Sequence, residues 1–366
     1  MGLRVGLVGL PNVGKSTLFN ALTHGHAPAA NYPFCTIDPN VGIVAVPDPR
    51  LETLATLVHP ERIVPATVEF VDVAGMVKGA SRGEGLGNQF LAHVRETDAI
   101  VEVVRCFDDG DIVHVAGRID PRDDIDVIET ELALADLGTI ERARARLAPR
   151  VRAGDKDAQG RDALLARLAA ALDQGVSLRT LPFTDDEHTL LSREYPLLGL
   201  KPLLYIANLG EEPGREPDRS HAAAVEDWAR AHGSEAVLIS ARLEAELDEL
   251  EPRERAEYLA ALGYGEPGLE RLIRAAYRLL GLETFFTAGP KEVRAWTVRR
   301  GTRAPQAAGV IHGDFERGFI RAEVIGYEDF VETGSEAAAR ATGRLRSEGK
   351  EYIVQDGDVV HFRFNV

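Results

Sequence analysis

Gly9, Gly14, Lys15 and Ser16 stand in the spacing G-x-x-x-x-G-K-[ST], with Thr17 following. Glycines at these places let backbone N–H groups turn inward around phosphate oxygens, and a helix starting there adds positive potential. Lys15 is then the cation for β- and γ-phosphates, and the Ser16 hydroxyl is a Mg²⁺ ligand. Asp72 and Gly75 form D-x-x-G at the end of a later apolar run. There a carboxylate serves the Mg²⁺ water shell, and the Gly75 N–H senses the γ-phosphate. Thr36 lies between the two motifs, where a switch threonine would close on Mg²⁺. It stands equally well as an ordinary loop residue.

Base recognition departs from the expected pattern. The P-loop and D-x-x-G spacing resembles that of Ras-like GTPases, which carry N-K-x-D at the end of the next-to-last strand. Here that strip is Asn208, Leu209, Gly210 and Glu211. Leu209 packs but carries no charge, and Glu211 is one methylene too long for the bidentate contact to guanine. ATP is therefore expected over GTP. Ser240, Ala241 and Arg242 follow the last strand, where a backbone N–H touches the base. Met76 stands where a water-orienting Gln is usual, so hydrolysis is expected to be slow or to use another group. His114 is the in-cis candidate, although a lone histidine is more often structural. Asn12 occupies the P-loop place at which some Gln-less relatives hold K⁺; the alternative is a turn asparagine.

These groups need strands to hold them. Apolar runs at 3–8, 41–46, 67–72, 99–105, 202–208 and 236–240 alternate mostly with helical stretches, which predicts an α/β fold with a mostly parallel sheet. No crossover helix is evident between the second and third runs beyond a short one at 51–57, so an antiparallel edge pair is plausible there. Residues 120–196 break the rhythm. Ile125, Ile128, Leu132 and Ala135 share one helical face, which Leu137, Ile140 and Leu147 extend, and Leu164, Leu165, Leu168, Ala171 and Leu172 form a second stripe beyond a turn at 154–157. Two antiparallel helices inserted into the nucleotide domain fit this better than ordinary crossover helices. From about residue 283, strand-like runs at 296–298, 319–324, 352–355 and 359–364 indicate a small α+β domain. The expected division is 1–119 with 197–282 as the nucleotide domain, 120–196 as the hairpin, and 283–366 as the last domain. The four glycines at 79, 83, 85 and 87 make a loop suited to switching.

Composition narrows the setting. The 366 residues are 45% hydrophobic, enough for full cores, and carry a net charge of −16. Any nucleic-acid binding must then come from a local basic patch. Residues 291–321 supply one, with Lys291, Arg294, Arg299, Arg300, Arg303, Arg317 and Arg321 interleaved with Trp296, Phe315 and Phe319. A solvated sheet face is the alternative. Two cysteines, Cys35 and Cys106, exclude a cysteine metal quartet and suggest a reducing, cytoplasmic setting. The start of the chain leaves no room for a signal peptide, and no apolar run nears the roughly 18 residues needed to span a membrane.

Taken together, the segments 9–17, 32–39, 72–89, 111–114, 208–211 and 285–296, with 355–358 and 364–366, resemble the YchF family of Obg-like, ribosome-associated P-loop ATPases. The likeness covers essentially the whole chain. It implies a Ras-like nucleotide domain with an inserted helical hairpin and a C-terminal TGS domain of β-grasp type. It implies ATP over GTP, and binding to the 70S ribosome or its large subunit and rRNA through the hairpin or the TGS domain. By position, Asn12, Val13, Gly14, Lys15, Ser16 and Thr17 hold phosphates; Ser16 and Thr36 hold Mg²⁺; Asn208 and nearby backbone face the base. Two other functions remain compatible with the residues: a GTP-dependent ribosome assembly factor, and an RNA-binding module with a purely structural nucleotide.

Overall fold

Val-, Ile- and Leu-rich runs fold as strands covered on both faces wherever they are apolar throughout, as β-branched residues on a pleated, buried surface favour. The computed structural model describes residues 3–25, 40–75, 86–211 and 215–365. In chain order the elements are β1 (Arg4–Val8), α1 (Lys15–Gly25), β2 (Val41–Ala45), α2 (Pro49–Val58), β3 (Ile63–Val64), β4 (Thr67–Asp72), α3 (Leu86–Arg95), β5 (Ala99–Arg105), α4 (Pro121–Arg152), α5 (Lys156–Asp173), α6 (Asp185–Glu194), β6 (Leu203–Asn208) and α7 (Asp218–Ala231). They continue as β7 (Glu235–Ile239), α8 (Ala241–Leu247), α9 (Pro252–Ala261), α10 (Gly268–Leu279), β8 (Leu282–Ala288), β9 (Val293–Arg299), α11 (Ala304–Ile311), α12 (Gly313–Arg317), β10 (Phe319–Ile325), α13 (Tyr327–Thr333), α14 (Glu336–Ala341), β11 (Arg346–Glu348) and β12 (Val359–Phe364).

The first sheet has the order β2-β4-β1-β5-β6-β7. β4, β1, β5, β6 and β7 run parallel, and every residue of β5 and β6 is buried. β2 lies antiparallel to β4: Asp72 N donates to Asn40 O, and at the other end Val46 N donates to Ala66 O. This topology delivers the C-terminal ends of β1, β4, β5 and β6 to one edge, where open α/β sheets bind ligands.

α4 starts at Pro121 behind Asp120, whose side chain caps the Asp123 N–H at 3.3 Å. Ile125, Ile128, Leu132 and Ala135 are all buried, as the stripe demands. After the turn at Gly154 (φ +83°), Asp155 caps α5 through the N–H groups of Asp157 and Ala158. Ile140 on α4 packs with Leu164, Leu165, Leu168 and Leu172 on α5. The same cluster takes in Leu178, Leu191 and Leu197, so α6 and two single 3₁₀ turns join a hairpin that the periodicity alone reads as two helices. Asp136 is fully buried and accepts from Leu198 N (2.8 Å) and Gly199 N (2.7 Å), tying α4 to the turn before β6. Burial pushes its carboxyl up to about 6 despite those bonds.

The second sheet has the order β11-β10-β12-β8-β9-β3. β8 and β9 pair antiparallel, as do β10 with β12 and β11, while β12–β8 and β9–β3 are parallel. Its core holds Phe285, Val298, Ala304, Ala308, Phe319, Val324 and Phe362, with Phe285 edge-on to Phe362 at 5.8 Å. The strand expected at 352–355 forms only an isolated bridge, Ile353 to Arg303. Local turns take two of its donors, Tyr352 N going to Gly349 O and Gln355 N to Asp358 Oδ2, while Val354 N reaches across, to Thr302 O. By packing, residues 43–68 group with the chain from Leu272 onward, and 69–271 group with the P-loop segment. The link is physical: β3 extends β9, and Arg50 on α2 reaches Asp356 at 2.7 Å. Among the described residues, no helix is long and apolar enough to cross a membrane.

Candidate functional site

The turn from β1 into α1 is shaped by its small residues. Asn12 and Gly14 have φ of +65° and +88°. A Cβ at Gly9 would lie 2.8 Å from Val103 O, and one at Gly14 would overlap Asn208 Nδ2. Leu18 N donates to Gly14 O, so the helix opens directly out of the turn. Lys15 is buried and ion-paired with Asp72 at the end of β4. Ser16 and Thr17 are exposed.

A cavity of about 1010 Å³ opens at this edge. Asn12, Gly14, Lys15, Ser16, Thr17, Gly75, Asn208, Leu209, Glu211, Ala241 and Arg242 all line it, from separate segments of chain. Among the described residues, a Cβ at Gly75 would meet nothing closer than 3.8 Å, so their packing does not require glycine there. Val13 is buried, and its carbonyl accepts from Asn208 Nδ2 at 2.7 Å. Asp72 enters through Lys15. Thr36, Met76 and the glycines from 79 to 85 lie outside the described residues.

The base strip behaves differently from its sequence expectation. Asn208 Oδ1 accepts from Ala241 N at 3.0 Å while its Nδ2 holds Val13 O, so this side chain ties the phosphate loop to the start of α8 and keeps one N–H in reserve. Ser240 caps α8 through Leu243 N at 3.3 Å rather than lining the cavity. Glu211 is paired with Arg242 at the exposed rim of the cavity. Gly210 N donates to Asp218 Oδ2 at 3.0 Å.

His114 is buried and does not line this cavity. Its Nδ1 accepts from Ala116 N at 3.2 Å, which puts the proton on Nε2 and makes that atom the donor to Asp124 Oδ2 at 2.9 Å. Both ring nitrogens are thereby occupied, and the imidazole is fixed to the first turn of α4, not to a water at the phosphates. Burial raises the Asp124 carboxyl, and His114 opposes that rise. The neighbouring Val113 carbonyl accepts from Asn12 Nδ2 at 3.0 Å, so the P-loop and the His114 loop are joined.

Three residues escaped the sequence reading. Phe107 and Asp218 line the cavity. Arg105 is fully buried, donates to Phe107 O (3.1 Å) and Asn12 O (3.5 Å), and stacks over the Phe107 ring at 4.5 Å. Burial lowers its pKa. The only available signal was a charge closing an apolar strand. In the 291–321 patch, Arg294 stacks on Trp296 at 4.0 Å, and Arg300, Arg303, Arg317 and Arg321 pair with Glu283, Glu351, Asp314 and Glu323. The patch is thus largely neutralised by carboxylates within and beside it.

Residues 4–137 match the family described as "50S ribosome-binding GTPase", and residues 282–365 match the YchF-GTPase C-terminal family, described as "Protein of unknown function (DUF933)". The chain is 57% identical to the "Ribosome-binding ATPase YchF" of Haemophilus ducreyi and 52% identical to that of Bacillus subtilis, each alignment spanning 100% of both chains. Among solved structures, the "Schizosaccharomyces pombe YchF GTPase" superposes with a TM-score of 0.89 at 37% identity, over 99% of this chain and 98% of that one.

Proposed function

The chain belongs to the YchF family, and from that premise we propose that it hydrolyses ATP as a nucleotide-dependent switch on the ribosome, in the cytoplasm. The observation that carries the reading is the convergence of the P-loop, Gly75 and the 208–211 strip on one cavity. Phosphates would meet the N–H groups of the turn and the N-terminus of α1. Lys15 would exchange Asp72 for the β- and γ-phosphates, releasing that carboxylate. Gly75, on the cavity wall, would offer its N–H to the γ-phosphate. Ser16 Oγ and the Asp72 carboxylate, which pairs with Lys15, are hard oxygen donors suited to Mg²⁺. When bound, Mg²⁺ neutralises charge on the β- and γ-phosphates. Thr36 is the further ligand that the family likeness suggests. Phe107 and Leu209 supply apolar flanks for a base.

A side-by-side titration tests the nucleotide: ATP is expected to bind about tenfold to a hundredfold more tightly than GTP, the worth of one mismatched buried polar edge. A GTP dissociation constant equal to or below that for ATP overturns the choice.

Hydrolysis by the isolated chain is expected to be slow and to rise with ribosomes. For His114 to act, its loop must leave both Asp124 and Asn12, which requires a rearrangement of α4 on the ribosome. His114→Ala should lower the stimulated rate while leaving ATP affinity near parental; an unchanged stimulated rate removes His114 from catalysis. Exchanging K⁺ for Na⁺ in the same assay tests Asn12 as a K⁺ ligand, and equal rates dismiss it.

Docking we assign to the 291–321 patch and to the 120–196 hairpin, taken as an inserted arm. Exposed ion pairs are worth little, so Arg303 and Arg317 can trade carboxylates for RNA phosphates. Reversing Arg299, Arg300 and Arg303 to Glu should weaken co-sedimentation with ribosomes and flatten its salt dependence, with ribosome-free turnover near parental. Untouched co-sedimentation would move the contact to the hairpin.

A further inference from the structure

We propose that Asp218 selects adenine, accepting a hydrogen bond from the 6-amino group and repelling the 6-oxo group of guanine-type bases. The proposal rests on the ATP reading above and names the residue that enforces it.

The side-chain acceptors of the base strip already have partners within the chain. Asn208 Oδ1 is taken by Ala241 N, Gly210 has no side chain, and Glu211 is held by Arg242 at the rim. Asp218 fills the gap from the first residue of α7. Its side chain lines the same cavity as the P-loop yet is only 6% exposed. The other carboxylates on that lining, Asp108, Asp109 and Glu211, are exposed or half-buried, so Asp218 is the desolvated one among the described residues.

Its position is fixed. Gly210 N donates to Oδ2 at 3.0 Å, and a Cβ at residue 210 would stand 2.8 Å from that same oxygen. Any side chain at 210 would therefore push the carboxylate away. The glycine in the strip and the acid on α7 work as a pair, and Gly210 also brings the Phe107 side chain close, at 3.7 Å from the position of its missing Cβ.

A carboxylate offers about four lone-pair positions, of which Gly210 N uses one. An amino group at C6 of the purine can take another. An oxygen at C6 would set lone pairs against a charged acceptor with little water to screen them, a contact that rejects the wrong base. Sites that hydrogen-bond a substrate group discriminate sharply against analogues lacking it.

The experiment measures displacement of labelled ATP from the full chain by ATP, inosine triphosphate (6-oxo) and purine riboside triphosphate (hydrogen at C6). It compares the parent with Asp218→Ala and Asp218→Asn. The parent should bind ATP about tenfold more tightly than either analogue. In Asp218→Ala, ATP should lose that advantage over purine riboside triphosphate. In Asp218→Asn, whose amide can keep Gly210 and donate to a 6-oxo group, inosine triphosphate should rise to match ATP. Thermal melts check that both variants fold. If all three nucleotides weaken by one common factor, or the ratios stay parental, Asp218 merely positions Gly210 and the proposal is overturned. A parent that binds inosine triphosphate or GTP as well as ATP instead sinks the ATP reading itself, so the two failures are told apart.

Discussion

Lys15→Ala is expected to remove nearly all of the thermal stabilisation that ATP with Mg²⁺ gives the parent. At a ligand concentration a hundred times the dissociation constant, a binder gains about 2.7 kcal/mol, which shifts the melting of a chain this size by several degrees. Lys15 is the cation at the mouth of the P-loop, and its only partner among the described hydrogen bonds is Asp72. The variant leaves that carboxylate unpaired, so the unliganded protein should lose roughly 1 kcal/mol, a modest amount because Asp72 keeps partial access to solvent. Asp72→Asn placed in the Lys15→Ala background should recover this small loss without restoring the ATP response. Equal ATP-induced shifts in parent and Lys15→Ala would show that the phosphates bind elsewhere.

Features whose physics is local were legible in the sequence. The phosphate loop is set by the conformations of residues 9–16, so four residues at fixed spacing announce it, and Asn12 and Gly14 take the positive φ that such a loop needs. The strands β1, β4, β5, β6 and β7 announced themselves through apolar runs, interrupted inside by Glu69 in β4 and Glu102 in β5. Contacts closed over long separations were not legible. Ile63 and Val64 become an edge strand only because Val293 and Arg294 lie beside them. Asp218 looks like a helix-start acid until Gly210 N is found on its carboxylate. His114 looks available until Asp124 and Ala116 claim both nitrogens. In the base strip, the motif gave no sign that Asn208 and Glu211 place polar atoms on Val13, Ala241 and Arg242.

The largest stability effect in the second sheet is expected at Glu323. This β10 residue is 3% exposed, and its carboxylate receives Arg321 (3.1 Å), Arg340 (2.9 Å) and Arg363 (2.9 Å). Burial by itself would raise its pKa, but the three guanidiniums outweigh that and hold it at about 2, below the ordinary 4.5. A folded value below the unfolded one means that the ionised form favours folding. The contribution is therefore complete above pH 4.5 and is lost as pH falls from there through 2. Glu323→Gln keeps the volume but turns an amide N–H₂ toward guanidinium donors, and should cost about 2–3 kcal/mol at pH 7, the lower part of the range for breaking a buried pair because the arginines reach solvent. Trp296, whose Nε1 donates to Thr287 Oγ1 at 2.9 Å on the same sheet, becomes the sole tryptophan reporter once Trp228 is replaced by Phe. Denaturant titrations followed at Trp296 should show the stability gap between the parent and Glu323→Gln closing as the pH is lowered from about 5 toward about 2. A gap that stays constant over that range would mean that Glu323 stabilises the sheet through packing alone, with its charge contributing nothing.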